Sequence, residues 1–215
     1  MCFTKEVSMF TFLTGMVGGI ICFSYGTPEL KIIGLFFAFV SLMQFLEYLL
    51  WSHQICDTYN KIVSKIAMIV NHLQPVVLYL LVKAYGKTNK VMDLLLVIYL
   101  IVISGYSKDY LMGDNYSNST NSSYCTIKDS HTHLNWEWNH QTNAEIVYAI
   151  FLICLVVFGM GIPTKLYSMV FVVIALLSYT ISSFIYSKTN SVGSMWCFFS
   201  AFAPFLFILI RYSFK

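Results

Sequence analysis

Hydrophobic residues run along this chain in long, nearly unbroken blocks separated by short polar punctuation. A membrane crossing needs about 20 mostly apolar residues, because ~30 Å of hydrocarbon is covered at ~1.5 Å per residue of helix. Seven blocks meet that length, near residues 7–25, 30–52, 60–83, 91–107, 143–161, 165–188 and 191–211. Backbone groups inside hydrocarbon must bond within their own segment, so each block is predicted as a helix. The breaks Gly26-Thr27-Pro28, Gly86-Lys87-Thr88-Asn89-Lys90, Gly161-Ile162-Pro163 and Lys188-Thr189-Asn190 are short, which makes successive helices antiparallel. Residues 106–142 differ: they are polar, rich in Asn, Ser, Asp and His, and able to build structure outside a bilayer. The expected fold is all-α, a single seven-helix transmembrane domain over 1–215 with one long exoplasmic loop.

Composition agrees with this pattern. The chain is 58% hydrophobic and 11% charged, against about 25% charged in ordinary soluble domains, so it lacks the side chains to cover a water-exposed surface. Its formal charge is +3, with scattered basic residues, which argues against a nucleic-acid partner. The bilayer is the expected partner, and no cofactor is expected.

Parity puts the N-terminus, the turn around Cys56, the long loop and the Lys188 turn on one side of the membrane. The lysine and arginine bias of the loops weakly favours the other side, with Lys31, Lys83, Lys87, Lys90, Lys165 and Arg211, as cytoplasmic. Asn115-Tyr-Ser117, Asn118-Ser-Thr120 and Asn121-Ser-Ser123 are glycosylation acceptors, used only on a luminal face. Three such triplets in an Asn/Ser-rich loop can also arise by composition. Cys56 and Cys125 fall on that same side, where a disulfide would tie the loop over the bundle mouth in an oxidising compartment. The alternative is two separate thiols. The location expected is a eukaryotic secretory-pathway or plasma membrane, or a viral envelope derived from one.

Polar groups inside spans are expensive and are functional candidates by default. The second block carries Gln44, Glu47 and Trp51 on one face, spaced i, i+3, i+7. The third carries Asn60, Ser64, Asn71 and Gln74 along one stripe, with Lys61, Lys65 and His72 along a neighbouring one. Pro75 follows, removing a backbone donor. Glu47 and Lys65 come at similar depth, so a neutralising ion pair is one reading, with Gln44 bonded to Asn71 as interhelical glue. A second reading is an outward-opening cavity where Glu47 and His72 bind a cation or relay a proton. A third is a small-molecule pocket using Gln44, Asn71 and Gln74, to which Tyr179 and Trp196 could add aromatic walls.

In the long loop, His131, His133, Glu137 and His140 form a set chemically suited to zinc or copper, at a spacing that fits no known motif; Trp136 and Trp138 equally suit a membrane mouth. Gly15-x-x-x-Gly19 permits close helix approach, within the chain or between copies in a homo-oligomer.

The run Met43-Gln44-Phe45-Leu46-Glu47-Tyr48-Leu49-Leu50-Trp51, followed in the next helix by Gln74-Pro75, resembles small seven-helix membrane proteins of bacteria and large DNA viruses. In those, Gln-x-x-Glu-x-x-x-Trp marks helix two and a proline marks helix three. The motif similarity covers 43–75; it implies the architecture and a viral or microbial origin, and no catalytic residue. No nucleophile–base set is recognisable, so the leading expectation is a non-enzymatic binding, receptor-like or carrier bundle for a small molecule or ion. The alternative is an intramembrane enzyme acting on lipid, or a proton-coupled transporter, using Glu47 and His72.

Overall fold

A computed structural model describes residues 4–112, 124–128, 133–186 and 192–213. In chain order the helices are α1 (Lys5–Ser24), α2 (Pro28–Ser52), α3 (Thr58–Tyr85), α4 (Lys90–Met112), α5 (Ala144–Gly159), α6 (Lys165–Tyr186), α7 (Val192–Ser200) and α8 (Ala203–Ser213). Their starts follow local chemistry. The Thr4 hydroxyl accepts from the Val7 N–H and the Asp57 carboxylate from the Asn60 N–H, each relieving an orphan donor of a first turn. Pro28 opens α2, where a missing N–H costs nothing. Gly26 turns the chain between α1 and α2 at φ +76°, a left-handed conformation that glycine adopts without strain.

Among the described residues, six helical segments are long and apolar enough to cross a membrane: α1, α2, α3, α4, α6 and the joined stretch Met195–Ser213. Two expected spans differ from their predicted form. The block at 143–161 becomes α5, only 16 residues long. It covers about 24 Å at the helical rise, because Asn143 starts it from a left-handed φ of 69° and the chain turns at Met160 and Gly161. The block at 191–211 is broken at Ala201-Phe202 into α7 and α8. Pro204 lies in the first turn of α8 and has no N–H to offer the Ser200 carbonyl, so one continuous helix loses a rung there.

The packing is inside-out relative to a soluble domain. Large apolar side chains line the outer surface, such as Leu94, Ile101, Met169, Leu177 and Phe184, whereas Ser8, Thr11, Ser41, Gln44, Glu47, Asn60, Ser64, Asn71 and Gln74 are buried. Water would penalise the first group and hydrocarbon the second, so the surface suits a lipid solvent. α1 and α2 approach closely: a Cβ added at Gly19 would lie 2.7 Å from the Gly34 carbonyl oxygen, and one at Gly15 would collide with Ser41. The Gly15–Gly19 motif is thus occupied within this chain. At the centre, Phe171 packs on Phe36 and Phe37 at 5.4 and 5.8 Å between ring centroids.

The long loop is folded where it is described. Strands β1 (Ile127–Lys128) and β2 (Leu134–Asn135) pair antiparallel, Ile127 opposite Asn135 and Lys128 opposite Leu134, and a 3-10 turn follows at Glu137–His140. Cys56 and Cys125 form the expected disulfide, with Cα atoms 5.6 Å apart, across a sequence separation of 69. Trp136 and Trp138 are 1% and 0% exposed, their rings 4.7 Å apart. They are therefore packed into the bundle's end and do not spread at its rim. The Tyr106 hydroxyl donates to the Trp138 carbonyl and the Tyr110 hydroxyl to the Tyr124 carbonyl, fastening this cover to α4.

Candidate functional site

The polar stripe of α3 divides in two. Near the covered end, Asn60 is a hub: its Nδ2 donates to the carbonyls of His53 and Thr126 at 2.9 and 3.0 Å, and its Oδ1 accepts from the Thr126 N–H at 3.0 Å. Ser64 Oγ also accepts from Thr126 N–H, at 2.9 Å. These two side chains complete the backbone of the loop next to Cys125. Their role is to hold the cover, and α3 is the element that places them one turn apart.

Two to three turns deeper, the same stripe meets other helices. Asn71 Nδ2 donates to the Tyr148 hydroxyl on α5 at 3.1 Å, and that hydroxyl donates to Asn139 Oδ1 in the 3-10 turn at 2.5 Å. A hydrogen-bonded line thus joins the bundle interior to the covered end. His72 turns toward α4 and α5, with Nδ1 3.1 Å from Ser107 Oγ and its ring 5.7 Å from Tyr106 and 6.3 Å from Tyr148. Tyr99 donates to the His72 carbonyl at 2.6 Å, in the turn where Pro75 leaves the α3 ladder one donor short. Asn71 Oδ1, His72 Nε2 and the Trp196 indole N–H are buried without a hydrogen-bond partner among the described residues. Buried polar atoms are normally satisfied, so these three have capacity for water or a ligand.

The α2 candidates face elsewhere. Gln44 and Glu47 are fully buried, and Glu47 lies within electrostatic range of Cys197 on α7. Gln74 Nε2 approaches Cys197 Sγ at 3.9 Å. Gln74 and His72 are about 200° apart around α3, so Glu47 and His72 occupy opposite flanks of that helix and do not form an acid–base pair. Lys65 is half-buried and donates to the Leu111 carbonyl at 3.2 Å, on the α4 side. Lys65 thus reaches the α4 backbone while Glu47 lies in range of Cys197 on α7, and no Glu47–Lys65 salt bridge is present among the described residues. Asn71 directs its amide Nδ2 to Tyr148. Trp51 is half-buried near the end of α2. A void of about 10 Å3 beside Gln74, walled by Phe36, Phe37, Leu155 and Phe171, has room for a single water at most.

The space able to hold a molecule lies outside the α2–α3 centre. A cavity of about 250 Å3 opens between the 3-10 turn, α5, α6 and α7, lined by Asn139, Glu145, Tyr148, Tyr179, Ser183 and Trp196. The Tyr179 and Trp196 rings stand perpendicular, 6.0 Å apart, and form a corner of its wall. Gly193 belongs to the same wall; a Cβ there would lie 3.2 Å from the Trp136 ring. Tyr179 and Trp196 were expected as aromatic walls of an interior pocket. Glu145, Tyr148 and Asn139 were not, although Glu145 and Tyr148 at i, i+3 share a face of α5.

Of the loop set suited to a metal, Glu137 Oε1 accepts from Asn135 Nδ2 at 2.9 Å; His131 lies outside the described residues. No group of three or more His, Cys, Asp or Glu side chains converges among the described residues. Asn115, Asn118 and Asn121 also lie outside them. No protein-family model, curated protein or solved structure matches this chain. The resemblance over 43–75 therefore rests on its motif residues alone.

Proposed function

We propose that this chain is a multi-pass membrane protein that binds a small molecule at its loop-covered end, acting as a receptor-like bundle and not as an enzyme. The observation that carries this reading is the 250 Å3 cavity whose wall residue Tyr148 continues by hydrogen bonds to Asn71 in the interior. Occupancy at the mouth thereby has a physical route to the polar centre. Binding is favoured over passage because below Asn71 the α3 face continues as Leu78, Tyr79 and Val82, all buried and closely packed. The separation of Glu47 from His72 across α3 argues against acid–base chemistry on lipid. The covered end is read as exoplasmic, in a seven-span topology in which α5 is a short span. The disulfide suits an oxidising compartment, and with the three acceptor triplets it fits a eukaryotic secretory or plasma membrane, or a viral envelope derived from one.

Native mass spectrometry of the detergent-purified protein tests the binding claim. Wild type is expected to retain a small-molecule mass, and Ser183→Trp, which fills the cavity, to lose it while melting at a similar temperature. A wild type that retains no ligand, and whose melting no compound in a metabolite panel shifts, sinks the reading. Exoplasmic placement predicts a glycosidase-sensitive gel shift that disappears when Asn115, Asn118 and Asn121 are all changed to Gln.

A further inference from the structure

We propose that the cavity between α5, α6 and α7 recognises a small organic cation, a primary to quaternary amine; this rests on the binding reading above and specifies its ligand. The lining supplies two components of cation recognition. The first is aromatic: Tyr179 and Trp196 meet at an 89° interplanar angle with Tyr148 also on the wall, presenting ring faces and edges around one space. A ring face carries negative quadrupole density and attracts a cation within about 6 Å of its centroid, best for Trp and Tyr. The second is charge. Among the described lining residues Glu145 is the one that carries a charge, and it lies within electrostatic range of Tyr179. Its place in the first turn of α5 leaves it exposed, so it neutralises an arriving ammonium without having been desolvated in advance.

Size and placement narrow the class. The cavity is smaller than the roughly 300–1,000 Å3 typical of drug-sized ligands, so the cation has few heavy atoms. Asn139 and Ser183 add oxygen acceptors for N–H or O–H groups of the ligand. The site sits where α5 and α7 begin and α6 ends, hence at the level of the interface, where aromatic rings and lipid headgroups meet. Two sources offer the same chemistry there: a soluble amine, or the choline or ethanolamine end of a phospholipid.

The test uses the full chain in nanodiscs made only of phosphatidylglycerol, titrated with choline while tryptophan fluorescence is followed. Saturable binding is expected, with weakening of about tenfold or more in Glu145→Gln and in Ser183→Lys, the second placing a competing cation in the cavity. The uncharged isostere 3,3-dimethylbutanol is expected to bind far more weakly. If the isostere matches choline, or if neither substitution changes the affinity, cation recognition is overturned while binding at the cavity stands. If neither probe binds, cation recognition falls, and the mass-spectrometric result decides the binding reading on its own. Repeating the titration in phosphatidylcholine nanodiscs separates the sources: choline binding that is suppressed identifies the headgroup, and unchanged binding identifies a soluble amine.

Discussion

The outer and inner ends of the α3 polar stripe are equally buried and differ in what was laid on them. Asn60 and Ser64 are fully covered, and the Asn60 side chain has each of its polar atoms engaged by the backbone of His53 or Thr126. Asn71 and His72 are 0% and 4% exposed, yet each keeps one ring or amide atom without a partner among the described residues. The first arrangement is structural, since a buried amide that bonds a loop's backbone on both its donor and acceptor sides fixes that loop. The second is under-filled. Burial alone does not separate the two ends of the stripe; whether its own side-chain atoms are met does.

The difference can be attacked most strongly at the cover. Replacing Cys56 and Cys125 by Ser should cost about 2–5 kcal/mol of stability, read as a lowered melting temperature matching that of the reduced wild type. Hydrogen exchange should then rise at residues 124–128 and stay slow in the inner half of α3; uniform loss of protection along α3 would merge the two regions. Asn60→Leu should cost about 2–3 kcal/mol, because it strands the His53 and Thr126 carbonyls in a dry site, while the Thr126 N–H keeps Ser64 Oγ. A loss below half that figure would mean that water replaces the amide. Asn71→Leu should cost no more than about 1 kcal/mol, since interhelical polar contacts in membranes average ~0.6, and the stability ranking of Asn60 above Asn71 is what a melting series would check.

The smallest effect concerns Asp57, which caps α3 at the same covered end. The backbone N–H of Asn60, then the His53 ring 2.8 Å away, stabilise its carboxylate and hold it below the usual carboxylate range. A depressed acid contributes stability that is complete above its unfolded pKa of ~3.9 and lost as pH falls through the lower folded value. The melting gap between wild type and Asp57→Asn should therefore be constant near neutrality and narrow only below about pH 4. A gap that closes between pH 5 and 7 would assign the effect to His53 instead.

Much of this architecture is legible in the sequence. The apolar blocks located the helices, the shared side of Cys56 and Cys125 anticipated the bridge, and the i, i+4 spacing of Asn60 and Ser64 put both on one face. The break at Ala201-Phe202 was signalled only by Pro204, inside an otherwise continuous apolar run. Trp136 and Trp138 read as rim residues because nothing local distinguishes a tryptophan at an interface from one packed beneath a disulfide-tied turn. The mouth cavity was partly hidden: Tyr179 and Trp196 were expected as aromatic walls, whereas Asn139, Glu145 and Tyr148 join them only through the folding of residues more than thirty positions away in sequence.

Hydrophobic content and its spacing are sums over neighbouring residues, so the chain's own order settled that it forms long apolar helices with polar groups turned inward. Which inward group meets which partner depends on helix rotation and on where the loop comes to rest, and both are decided by packing between distant segments. For that reason Lys65 and His72 both came to face α4 while Glu47 came within range of Cys197 on α7, and a cavity formed beside α5 where no single segment announced it.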